Sequence, residues 1–465
     1  MASAALAELV EFGASNAMDS LLVIRHGSIV TEAHYAPFQA GQKHLVNSVT
    51  KSVIGTLVGI ALKEGTLATL DQPVIEFFPG RAIANLDPNK KAMTLRSLLD
   101  LTSGLDWQEP LSTAVPETML QMERSPEWVG FVLDRPMAQA PGLAFNYNSG
   151  SWHLLSAILA KQSASDTLSY ARDKLFTPLG ISDVAWRRDP QEIPIGGYGL
   201  YMLPRDMAKL GYLYLQRGEW AGQRLLPSAW IDKILQAPVD MGVGGGLRYA
   251  NGWWAIPDRR VYLAVGYLSQ LIVVLPDLDI VAVVTGRQYY PLRQVIDRIV
   301  GAVKSTHAIP ADAEGNARLA DRIRNAAIEI PSPVGPVSPL AKIISGKTYR
   351  FDPNPLGLES QRFDLAPVNP RYELVFQPHR PGAPPTRIRG SIGLDGYFRL
   401  SDADNAAILA MKGSWISADR FLVHSRFVPE GLTSIVTLTF REREVDLEFV
   451  DSRGQRGRMR GEAID

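Results

Sequence analysis

Cysteine is missing from the whole chain of 465 residues. That rules out disulfide staples, a thiolate nucleophile and a cysteine metal site. The absence fits the cytoplasm and the periplasm equally, so the compartment stays open. Net charge is missing too, because 48 basic residues balance 48 acidic ones. Such a chain has no electrostatic footprint for nucleic acid and no pull toward anionic lipid. No apolar run is long enough to read as a membrane span. Met1 to Val10 is apolar but lacks a basic leader and a clear cleavage site, so no signal peptide is expected. The seven histidines are scattered and no His-Glu-x-x-His occurs, so no metal and no cofactor are expected. No Gly-x-Ser-x-Gly elbow occurs, which argues against an α/β-hydrolase. The glycine-rich run Met241 to Arg248 lacks both the leading strand and the following helix of a nucleotide loop. It reads as a mobile loop at a cleft rim.

What is present centres on Asn47-Ser48-Val49-Thr50-Lys51-Ser52, at the head of the apolar run Val53 to Leu62. Ser48 and Lys51 are spaced i, i+3, so a helix puts hydroxyl and amine on one face. A serine needs a base to become a nucleophile, and a lysine kept neutral by burial can be that base. Serine is also a common helix N-cap, and a lysine one turn on is usually solvated. Here Gly55, Gly59 and Ala61 leave one side of the helix small enough for close packing, and no polar stripe appears before Lys63-Glu64. A lysine at the head of a buried helix needs a reason to be there.

Length and patterning call for two domains. Ser20 to Arg25 and Ser28 to Tyr35 read as strands around a His26-Gly27 hairpin turn. Val261 to Gly266, Gln270 to Leu275 and Ile280 to Thr285 read as three more strands of the same antiparallel sheet, with the helical middle as an insertion. Residues 1–306 are thus expected to be an α/β (α+β) domain of helix-flanked antiparallel sheet, and 307–345 a linker with one short helix, Ala317 to Ile328. Residues 346–465 alternate in short runs, from Thr348–Phe351 to Ser434–Arg441, and are expected to form an all-β barrel or sandwich. No catalytic cluster is visible there.

Ser48-x-x-Lys51, then Tyr147, then a strand before Gly266 is an ordered set. With it come Leu22 to Gly27, Met93 to Leu105, Pro141-Gly142 with Tyr147-Asn148-Ser149-Gly150, Leu203 to Gly211 and Gly252-Trp253-Trp254. Together these span nearly all of residues 20 to 300 and resemble the serine β-lactamase and penicillin-binding-protein superfamily. The likeness is to its class C-like branch, with family VIII esterases and 6-aminohexanoate-oligomer hydrolases. The resemblance implies a serine hydrolase with Ser48 as nucleophile. Lys51 is then the base, or the group that keeps Tyr147 ionised as the base. It implies an oxyanion hole from the backbone N–H groups of Ser48 and Ser269. Trp107, Asn148, Ser149, Tyr201, Trp253 and Tyr267 are the expected substrate-binding residues, with Tyr198 and Trp254 as further aromatic candidates.

Two positions depart from the superfamily pattern. The Tyr-x-Asn motif has Ser149 in its third place. Gly266-Tyr267-Leu268 stands where Lys-Thr-Gly or His-x-Gly is usual, so no cation flanks the nucleophile. A substrate carboxylate would want that charge. The expected substrate is therefore a small ester or uncharged amide, with Arg287 as the residue that could still supply charge. A β-lactamase or D-aminopeptidase-like amidase is the alternative within enzymes. Outside them, the alternative is a catalytically silent binding protein on the same fold.

Overall fold

The computed structural model describes all residues except 112–114, 237, 366–367, 379–383, 403–407, 442 and 465. The chain forms two compact units: Met1–Ala33 with Lys43–Ile323, and His34–Gln42 with Arg324–Asp465.

The first unit is built on an eight-stranded sheet. Its order is Ser28–His34, Met18–Arg25, Ile280–Gly286, Gln270–Leu275, Val261–Gly266, Trp253–Ile256, Arg248–Ala250 and Val239–Asp240. First and last parts of the sequence thus meet in mid-sheet, where Leu21 stands opposite Val284 and Ile24 opposite Val281. The two central strands, Gln270–Leu275 and Ile280–Gly286, are buried along their whole length. This explains their unbroken apolar runs, since both faces are covered. Ile272, Val274, Val281 and Val283 join the core that also holds the helix Val49–Glu64. The helix Pro204–Leu215 packs on the same face, where a Cβ on Gly211 would come within 2.6 Å of Ile272. Helices Ser3–Ser15 and Leu292–Gly301 pack on one another, and the former also packs on Met18–Arg25. The His26-Gly27 turn has φ of 49° and 72°, the left-handed pair that suits a tight hairpin.

The sheet is wider than the sequence pattern indicates, because three short strands from 239 to 256 extend it. The glycine-rich run joins two of these, with positive φ at Gly242, Gly244, Gly245 and Gly246. The first unit also runs on past residue 306, to Ile323 within the helix Ala313–Ala326. No helix among the described residues is long and apolar enough to cross a membrane.

The second unit is a ten-stranded sheet of neighbours from Thr348–Phe351 to Arg456–Ala463. An isolated antiparallel bridge between Gly390 and Ser401 joins its two end strands, so the sheet closes toward a barrel. Its last two strands, Glu444–Asp451 and Arg456–Ala463, escape the sequence reading. In the last one, Arg456, Arg458 and Arg460 face outward and only Met459, Ala463 and glycine backbone face the core, so the apolar period is faint. The expected strand from Ala407 begins on a residue outside those described; the observed one is Leu409–Trp415.

Candidate active site

Ser48 stands at the N-cap of the helix Val49–Glu64, but its hydroxyl makes no capping bond. It faces the next turn, where Lys51 Nζ lies 3.0 Å from Ser48 Oγ. The residue before it, Asn47, has φ of 49°, a left-handed conformation that asparagine tolerates. The Asn47 carbonyl takes both the N–H of Thr50 and its hydroxyl, which fixes the entry to the helix.

The helix is sealed on every side: residues 49 to 61 are all buried, Lys51 with only 1 % of its surface exposed. The small residues make this possible. A Cβ on Gly55 would lie 2.2 Å from the Asn251 carbonyl, and one on Gly252 (φ 87°) would lie 2.7 Å from the Lys51 carbonyl. Backbone from 251 and 252 therefore lies directly against the turn that carries Ser48 and Lys51.

Lys51 Nζ has three partners: Ser48 Oγ at 3.0 Å, Ser149 Oγ at 3.0 Å and the Gly197 carbonyl at 2.8 Å. It also lies 4.6 Å from the centroid of the Tyr147 ring. Burial pushes the Lys51 ammonium down to about 8, against an opposing pull from the Glu109 carboxylate. The Tyr147 phenol goes the other way. Burial, and then the charge of Glu109, raise it far above its ordinary value, although a hydrogen bond with Ser48 works against them. The site thus favours a neutral amine beside a neutral phenol over an ammonium–phenolate pair.

Glu109 escapes the sequence reading, since nothing marks it among 48 acidic residues. Its Oε1 accepts the Ser149 hydroxyl at 2.6 Å, and its Oε2 accepts the Ser149 N–H at 2.7 Å and Trp107 Nε1–H at 2.8 Å. Gly197 escapes it as well, although the Gly196-Gly197 pair was a usable signal. A Cβ on Gly197 would sit 2.8 Å from that of Ser149, so only glycine lets its carbonyl reach Lys51.

The other expected residues divide. Trp107 is buried with its indole on Glu109. Asn148 caps the helix Ser149–Ser163 by accepting the Ser151 N–H, and its side-chain nitrogen is buried without a partner among the described residues. Tyr201 stacks beside Arg187. Tyr198 donates to Glu123 at 2.5 Å, and Trp254 is half-buried. Trp253 is not in the site. It is fully buried with its ring 4.3 Å from that of Tyr214, because its strand turns it inward. Tyr267 is 41 % exposed at the turn after Val261–Gly266, edge-on to Tyr289. This turn is where the sheet meets the segment leading into Ser48. A Cβ on Gly266 would lie 2.3 Å from the Val46 carbonyl, and Asn47 Nδ2 donates to the Tyr267 carbonyl at 3.0 Å. Ser269 lies two residues further, with its hydroxyl and carbonyl both engaged by Tyr290. Arg287 is held by the buried Asp19 at 2.9 Å, and Asp19 also takes His44 at 3.0 Å.

The chain is similar to several known proteins. The 6-aminohexanoate-dimer hydrolase of Paenarthrobacter ureafaciens is 24 % identical over 261 residues, which are 52 % of this chain. The chain spans 65 % of that relative's length. Among solved structures, the octameric penicillin-binding protein homologue from Pyrococcus abyssi matches 97 % of this chain and 98 % of its own, at TM-score 0.53 and 16 % identity. EstCE1, a hydrolase with promiscuous acyltransferase activity, matches 70 % of this chain and 99 % of its own, at TM-score 0.53 and 18 % identity. The family described as Beta-lactamase matches residues 6–303, which hold every residue of the Ser48 site, and the chain belongs to that family.

Proposed function

We propose that the chain is a serine hydrolase that cleaves small esters or uncharged amides through an acyl-enzyme on Ser48. The observation that carries this reading is Lys51, an almost fully buried amine within hydrogen-bond reach of a serine hydroxyl that caps nothing. In the neutral form Lys51 takes the Ser48 proton as Oγ attacks the carbonyl carbon. The same proton then passes to the leaving alcohol or amine, and water repeats the sequence to release the acid. Tyr147 acts as a neutral phenol hydrogen-bonded to Ser48, a path for that proton. The developing oxyanion takes the Ser48 N–H at the head of the helix, where the helix dipole also favours it. We assign the second donor to the backbone N–H of Ser269, on the turn that Asn47 holds through the Tyr267 carbonyl; Tyr290 engages the hydroxyl and carbonyl of Ser269 and not this N–H. The name of the Paenarthrobacter relative fits an amide-cleaving member of this class. A fluorophosphonate probe tests the reading: the adduct should map to Ser48 and vanish in Ser48→Ala. Labelling that persists unchanged in that variant would sink it.

A further inference from the structure

The hydrogen bonds around Lys51 have a direction, and that direction starts at Glu109. A carboxylate only accepts. Its Oε2 is taken by two N–H donors and its Oε1 by the Ser149 hydroxyl. Ser149 has one proton, and that proton is on Glu109, so Ser149 Oγ can only accept from Lys51. The Gly197 carbonyl can only accept as well. A neutral amine has two N–H groups and one lone pair. Both N–H groups are therefore spoken for, and the lone pair is left facing Ser48 Oγ.

We propose that Glu109 is a positioning residue for the reaction: through Ser149 it fixes the hydrogen-bond polarity at Lys51, so that the neutral amine presents its lone pair to the Ser48 proton. The proposal rests on the serine-nucleophile reading and deepens it. The hydrogen bonds of Glu109 reach Lys51 through the Ser149 hydroxyl, and its charge acts on the Lys51 ammonium through space. The titratable groups facing this cluster are Lys51, Tyr147 and Glu109, with Glu123 and Tyr198 beyond Glu109 and with Tyr249 and Tyr289 beyond Tyr147.

Glu109→Gln is the informative change, because it keeps shape and reverses polarity. The amide oxygen must stay with the two N–H donors, so the NH2 group turns to Ser149 Oγ. Ser149 then gives its proton to the Lys51 lone pair, in competition with Ser48. The experiment measures fluorophosphonate labelling rate at Ser48 against pH for wild type, Glu109→Gln, Ser149→Ala and the double variant, with circular dichroism as the fold control. The plateau rate of Glu109→Gln should fall roughly tenfold to a hundredfold, the effect of one misdirected hydrogen bond to a charged partner. Its acid limb should also move to lower pH, since a charge that favours the ammonium is gone. Mere loosening would admit water and move the limb up, toward ordinary lysine. In the Ser149→Ala background, Glu109→Gln should cost no more than about twofold, because the rotor is already absent. Wild-type labelling in Glu109→Gln, an upward shift of the limb, or a double variant equal to the product of the singles would each overturn the proposal. Should Glu109→Gln not fold, Ser149→Ala decides: a tenfold loss supports the proposal and wild-type labelling overturns it. If wild type itself carries no adduct on Ser48, the serine-nucleophile reading fails and takes this proposal with it.

Discussion

Under the proposed acyl-enzyme route, the pH dependence of Ser48 acylation is set by how deeply Lys51 is buried. An ordinary lysine at 10.5 would be neutral in roughly 0.03 % of molecules at pH 7, whereas one at about 8 is neutral in roughly 10 %. Burial thus enlarges the population of competent base about 300-fold, equivalent to about 3 kcal/mol. The base works only when deprotonated, so the rate rises with pH and levels off above the Lys51 value. Acylation at pH 6 should run at roughly a tenth of its pH 7 rate and at roughly a hundredth of the plateau. The assay is the second-order rate of fluorophosphonate labelling from pH 5.5 to 10.5 at constant ionic strength. Changing the salt from about 0.05 M to 0.5 M should barely move the inflection, because a buried amine is poorly screened. An inflection above pH 10 would hand the role to a phenolate or to a solvated lysine. A flat profile between pH 6 and 9 would remove any titrating base, and either result refutes the argument.

Three further outcomes follow from the same geometry. Lys51→Ala and Tyr147→Phe act on one proton path, so their losses in kcat/KM should be strongly non-additive, and a double variant equal to the product of the singles would count against that path. A neutral ester such as p-nitrophenyl butyrate should be cleaved roughly tenfold to a hundredfold better than nitrocefin, because Gly266-Tyr267-Leu268 offers a carboxylate no cation and Arg287 is committed to Asp19; equal turnover would show that another residue binds the carboxylate. Gly55→Ala should lower stability by about 1 to 3 kcal/mol in a urea melt, since its Cβ would stand 2.2 Å from a backbone carbonyl; an unchanged midpoint would mean that the 251–252 segment yields freely.

The fold was legible where period and length carry it. Unbroken apolar runs marked the central strands, and the Ser48 helix was plain from its small residues and late polar stripe. The strands from 239 to 256 are too short for a period, and the arginine-rich last strand of the second unit shows its apolar face only in Met459 and Ala463. At the site, the Ser48, Lys51 and Tyr147 spacing could be read because the chemistry restricts the residue types. Glu109 could not, because its meaning lies in which atoms its two oxygens accept. Trp253 is hard to place for a related reason: an aromatic in a strand can face pocket or core, and here it is fully buried against Tyr214 and Tyr262.

The chain enters the second unit twice, first as residues 34–42 and again from Arg324 onward. Phe38 of the first visit is buried with Ala410 and Val428, residues that lie far later in sequence. On a ribosome adding about 5 to 20 residues per second, Phe38 would wait roughly 20 to 70 s for Ala410 to be made. The segment that waits ends at Gln42, a few residues ahead of Ser48. Ser48 is made early, and the stretch just before it is held within the first unit, where His44 and Leu45 pair with Met202 and Tyr201. Residues 34–42 are thus synthesised early and packed late.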